Sequence, residues 1–453
     1  FYVRETDSTH CTISFMNYWK LKRGVDVAVF ASTRSMNGDL LLRERLSFDK
    51  GEVINYRVPA DNPFEVSIEI EVFSTQNIAI PYGAIICQYQ TLRGYSFVHS
   101  YARAYSQHEI EEGRTLSVGR EACWTCRDTS TQRSFAVIHN GSLFKEAQKV
   151  GLTVRNSWRD MQHVTCDWPA LKPYETRLVR PSDYFPNLIE WLGGEPGQAK
   201  LDFELGGGFT RMLVGNERLD CSDMQVTHSN FDYGRQPTDM AERNQRAFMH
   251  VPACGSAKMR IIVYPDSHSG DYRAYAEDLA FRFSGGDAVY EAAPKAKTIV
   301  FERVDGPMPT RLVTALEIHE DSNCLPAECS LGVLTALQPP KRLWWGSVAS
   351  PDVARSRIVI HDLPEVYGGI PSREKFFLSL HSALSLDPLK ANFKAHRIND
   401  FIHGVLIEDI WPDADQHLGG QAGYYTMYSS YGGLTVYTLT RNIHGSVCLE
   451  HAF

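Results

Sequence analysis

The chain has 453 residues, 43% hydrophobic, 11% aromatic and 22% charged, with a formal net charge of −8. That composition can bury sizeable cores and excludes a low-complexity or disordered chain, and the length is more than one ordinary domain uses. Lys and Arg are scattered on an acidic background, which speaks against nucleic acid as a partner, and no apolar stretch approaches the ~20 residues of a transmembrane helix. The sequence opens on Phe1 rather than Met, so the absence of a leader carries no information.

From residue 11 to 235 the chain reads as short β runs divided by turn chemistry. Thr12–Phe15, Val25–Phe30, Val66–Phe73, Gly83–Tyr89 and Tyr95–His99 are rich in β-branched and aromatic residues, and Val66–Phe73 alternates apolar with polar. Met36-Asn37-Gly38-Asp39 and Pro59–Pro63 separate them as turns. Ser134–His139, Gly151–Arg155, Leu201–Leu205, Thr210–Val214 and Met224–His228 continue the series. The one helical turn expected in this half follows Ser182-Asp183 and runs over Phe185–Leu192, stopped by Gly193-Gly194. Polar Gly234–Gln245 reads as a connection, after which strands resume at Met259–Tyr264, Thr298–Phe301, Leu312–Leu316, Leu331–Leu334, Ile358–Ile360 and Phe376–Leu380.

One pattern occurs twice. Asp183-Tyr184-Phe185-Pro186 with Gly193-Gly194 is matched by Asp409-Ile410-Trp411-Pro412 with Gly419-Gly420, the proline-to-diglycine spacing unchanged. Cys11 and Arg260, like Gly83 and Gly332, are 249 positions apart; His139 and His381 are 242 apart, Pro186 and Pro412 226, His228 and His451 223. Offsets that only hold or shrink are what duplication with shortened loops produces. The expectation is an all-β protein of two homologous antiparallel β-sandwich domains, jelly-roll-like, spanning 1–240 and 241–453, with few helical turns. The repeated corner is a structural signal: Phe185 and Trp411 plug a core, and the glycines release the chain into the next strand.

Chemistry is harder to read. His99, His139 and His228 each end an apolar β run, and three neutral imidazoles on a rigid sheet could hold a transition metal such as Zn, Cu or Fe at the rim of the first domain. Their bland reading is strand-end histidines bonded to backbone. In the second half the counterparts are Ala349, His381 and His451, so one of the three is lost. Arg103, Trp124, Asn140, Arg211 and Asn230 form a second set: an arginine fork beside an indole and amides suits a carboxylate- or hydroxyl-bearing ligand such as an acidic sugar.

Ten cysteines make no regular framework; Cys123-Trp124-Thr125-Cys126 is a CxxC without a second pair to complete a metal site, and Asn140-Gly141-Ser142 is a lone glycosylation sequon. There is no GxSxG or HExxH, and no Gly-rich phosphate loop opening a helix. The functional expectation is a non-catalytic binding or assembly protein, recognising a glycan or a protein partner at a cell surface or envelope rather than in the cytoplasm, with homo-oligomerisation open to it. A metal-dependent enzyme using the three histidines and a double-jelly-roll shell protein are the alternatives.

Overall fold

The computed structural model describes residues 1–59, 64–76, 85–157, 160–229, 246–255, 257–264, 270–277, 279–284, 288–292, 295–308, 312–320, 323–332, 342–362 and 364–453. It is mostly strand, and the strands fall into four consecutive segments with one shared plan. In residues 2–99, 116–228, 246–332 and 343–451, eight strands counted along the chain form two antiparallel four-stranded sheets. One sheet is ordered first, sixth, third, fourth; the other is ordered fifth, second, seventh, eighth. A small two-stranded sheet pairs Ala102–Ala104 with Gly208–Thr210. Each of the spans 1–240 and 241–453 therefore holds two such units. The all-β, antiparallel expectation is met, with the strands connected in the order just given.

Both sheets of a unit feed one core. In the second unit Trp124, Val150, Leu152, Leu201 and Phe203 from one sheet meet Ala136, Ile138 and Val214 from the other. Phe185 and Trp411 are buried in the cores of the second and fourth units. The diglycines do what the sequence demands of them: Gly193, Gly194, Gly419 and Gly420 have φ of 64°, 85°, 56° and 75°, a left-handed path that ends the helices Leu188–Leu192 and Ala414–Leu418. Asn187, not Ser182 or Asp183, sits at the first helix start; Pro181–Asp183 is a separate 3-10 turn. Two further short helices, Tyr18–Arg23 and Gln107–Glu111, escaped the sequence reading because each is barely more than one turn.

The eighth strands of the fifth-second-seventh-eighth sheets meet at the centre, and much of the first-sixth-third-fourth sheets faces outward; residues 344–348 and 423–427 of the fourth unit are exceptions, buried throughout. Several inner strands are buried on both faces, their polar residues included: Tyr95–His99 is buried throughout, as are Leu213–Glu217 and Val313–Ile318. Outer strands alternate, as in Met161–Trp168 and Leu389–Lys394. One core cluster joins inner strands of the first unit to Phe135, Val137 and Leu213 of the second and to Trp345 and Tyr424 of the fourth.

The four eighth strands, Tyr95–His99, Met224–His228, Ala327–Gly332 and Val447–His451, stand side by side in a closed cycle. Their starts meet where Ser446 Oγ accepts from Tyr95 N at 3.1 Å and from Gln225 Nε2 at 2.7 Å, and where Asp223 Oδ2 accepts from Leu325 N at 2.6 Å. Their ends meet at His99, His228 and His451, so all four run in one direction.

Each seam of the cycle carries a buried or half-buried polar contact to a carboxylate. Arg4 and Arg133 clamp Glu217 between the first and second units; Arg127 and Arg260 clamp Glu317 between the second and third. Arg441 pairs with Glu320 between the third and fourth, and His381 with Glu52 between the fourth and first. The last seam also needs Gly51, where a Cβ would stand 2.4 Å from the backbone of Ala383.

Candidate site at the four-strand junction

The last residue of an eighth strand points into the end of the central column, and three of the four units place a histidine there: His99, His228 and His451, with Gly332 in the third. His99 and His228 meet edge to face with centroids 4.4 Å apart, and His99 and His451 likewise at 5.0 Å. Phe453 closes over both His99 and His451, at 4.9 and 5.0 Å.

His228 is neutral, and its tautomer follows from its partners. Nδ1 donates to the Ser229 carbonyl at 2.9 Å, which leaves Nε2 to accept from Arg211 Nη1 at 3.3 Å. Burial, with His99 and Arg211 beside it, pushes its pKa well below the ordinary histidine value. Its carbonyl accepts from Ser330 Oγ of the third unit at 2.8 Å, so all four units contribute to this junction.

Glu450 is the counter-charge. Its Oε1 lies 3.2 Å from His99 Nδ1 and 2.8 Å from His451 Nδ1, and accepts from His451 N at 3.1 Å. Burial alone would raise this carboxyl; the two imidazoles outweigh it and hold the group far below the usual carboxylate range. His99 is pushed down by burial, partly offset by Glu450. Ligand atoms of His99, Glu450 and His451 all lie within 4.8 Å of one another. Sequence reasoning missed Glu450 altogether and met His451 only as the partner of His228 at a shift of 223. The available signal was that equivalence, since both residues end eighth strands.

His139 has other work. Its ring stacks on Tyr101, and its two nitrogens lie 2.7 Å from Tyr101 Oη and 2.8 Å from Thr176 Oγ1, at the seam of the first and second units. Both are engaged, so neither is free for a metal. Its sequence match to His381 does not place the two alike, because His139 ends a second strand and His381 a third.

The ligand-binding set is dispersed. Arg103 is exposed and paired with Glu109 at 2.8 Å. Trp124 is buried, 1% exposed, with no face for a sugar to stack on. Asn140 is spent inside a loop: its amide nitrogen donates to the carbonyls of Leu143, Leu171 and Lys172, and its Oδ1 accepts from Gly206 N, which leaves no room for a glycan on the sequon. Arg211 belongs to the histidine junction, and Asn230 lies outside the described residues. Cys123 and Cys126 point to different cores, as residues three apart on a strand do. A cavity of about 10 Å³ lined by Trp124, Thr125, Asn216, Gln225 and Glu328 lies at the second seam, far smaller than the ~300–1,000 Å³ of small-molecule sites.

No protein-family model matches the chain, and no curated protein matches it. No helix among the described residues is long and apolar enough to cross a membrane.

Proposed function

We propose that the chain is a non-catalytic assembly protein, built by duplication of a sandwich unit into a four-unit body that pairs with a second copy through an outer-sheet edge. The observation that carries this is the strand Leu40–Leu46. It is the end strand of the first unit's outer sheet, and Leu40, Leu41 and Leu42 are 51, 60 and 38% exposed. An edge strand presents unpaired backbone donors and acceptors, and three consecutive exposed leucines leave half of this edge apolar, with Arg43, Glu44 and Arg45 on the other half; Arg43 also pairs with Glu71, and Glu44 accepts from Tyr56. Antiparallel pairing of two copies about the Arg43–Glu44 bond would place each Arg43 opposite the other copy's Glu44 and each Leu41 opposite Leu46.

A protein partner suits the structure better than a glycan, because Trp124, Asn140 and Arg103 are committed to core, loop and ion pair. The second reading, a metal-dependent enzyme, is favoured by the proximity of His99, Glu450 and His451; burial of the first two argues against substrate access. Sedimentation across a concentration series tests the proposal. The wild-type chain should dimerise and Leu41→Lys should shift it to monomer; a wild-type chain that stays monomeric at every concentration overturns it.

A further inference from the structure

We propose that His99, His451 and Glu450 bind one divalent transition-metal ion, of the zinc, cobalt or iron(II) kind, as a structural clamp across the seam between the first and fourth units. Two imidazole nitrogens and one carboxylate are a donor set such ions take, and a metal with bonds of about 2.0–2.2 Å places adjacent donors roughly 2.9–3.4 Å apart. The Glu450 Oε1 to Nδ1 separations of 3.2 and 2.8 Å fall at that scale before any ion enters.

The second observation concerns hydrogen bonding. His99 Nδ1 and His451 Nδ1 are both buried atoms without a hydrogen-bond partner, although each lies within reach of the same carboxylate oxygen. Buried nitrogens are rarely left so, and two of them converging on one carboxylate oxygen from different units suit a shared cation. His228 cannot be a third nitrogen ligand, since Arg211 and the Ser229 carbonyl occupy its ring. Arg211 brings a positive charge to the junction and should weaken the site. The clamp is structural: His99 and Glu450 are 4 and 7% exposed, and they belong to different units of the cycle.

The full chain, stripped with a chelator, is titrated with Co²⁺ and Zn²⁺ by calorimetry, with the cobalt visible spectrum as a second readout. One equivalent should bind, with a raised melting temperature. His451→Ala, at a half-exposed position, should fold normally and bind at least tenfold more weakly, as should His99→Ala if it folds. Arg211→Gln should bind more tightly. Absence of stoichiometric binding by the wild-type chain overturns the proposal, as does binding unchanged in His451→Ala. Binding lost instead on changing the partly exposed Cys166 and Cys221 to Ser assigns the metal to surface thiols and overturns it too.

Discussion

The inner and outer sheets use one strand plan for opposite purposes. Several inner strands are buried on both faces, and each large side chain they bury contributes about 1.5–3 kcal/mol against exposure. The polar groups among them, Glu217, Glu317, Glu450 and the histidines, add little net stability, because desolvating paired charges offsets their attraction. They specify which unit abuts which. Outer strands such as Met161–Trp168 and Leu389–Lys394 bury one face, and Leu40, Leu41, Met161 and Phe377 stand in solvent.

The sharpest break of that contrast is Glu217→Leu. It takes from Arg133 its carboxylate and leaves buried Arg4 with only the partly exposed Glu65, and should cost about 3–5 kcal/mol, read as a lower melting temperature of the whole body. Acidification comes next. Burial pushes His139 and His250 well below the ordinary histidine value of 6.5, so both are neutral when folded and take up protons on unfolding. Stability should then be lost as pH falls below 6.5, by up to about 1.4 kcal/mol per pH unit for each. A melting temperature unchanged between pH 7.5 and 5.5 contradicts this.

Asp223 tests the opposite sign. Burial raises its carboxyl to about 6, so its ionisation opposes folding at neutral pH. Asp223→Asn should keep the bond from Leu325 N and stabilise the protein at pH 7.5 by at most about 3 kcal/mol, a gain that shrinks as pH falls towards 4. Denaturation at the two pH values compares them; a loss at pH 7.5 refutes the account. The smallest effect belongs outside: Met161→Lys and Phe377→Ser should stay within about 0.5 kcal/mol of wild type in the same assay.

What the sequence displayed follows the same division. Tyr95–His99 and Met224–His228 are readable to the residue, because aromatic, β-branched and apolar residues recur there between polar ones in a strand-like pattern. Leu40–Leu46 and Leu116–Cys126 escaped, the first because its leucine run and charges match no alternation, the second because its apolar residues are spaced irregularly. The Pro and Gly-Gly corner shows that residues near 186 resemble those near 412, but the eight-strand plan of residues 2–99 and 246–332 has no such corner to announce it. At the site, His99 and His228 were singled out as strand ends. Their convergence with Glu450 and His451 depends on the first and fourth units being neighbours, which no local pattern encodes.

That adjacency also shapes how the chain folds. Tyr424 Oη donates to the carbonyl of Ser14, 410 positions away, and Asn55 donates to the carbonyl of Ala422, 367 away. Contacts of such separation are among the last to form, since the loop they close costs entropy before it returns any energy. During synthesis the apolar inner face of the first unit waits uncovered until residues 343–451 have emerged, a window in which it is open to aggregation and a target for chaperones.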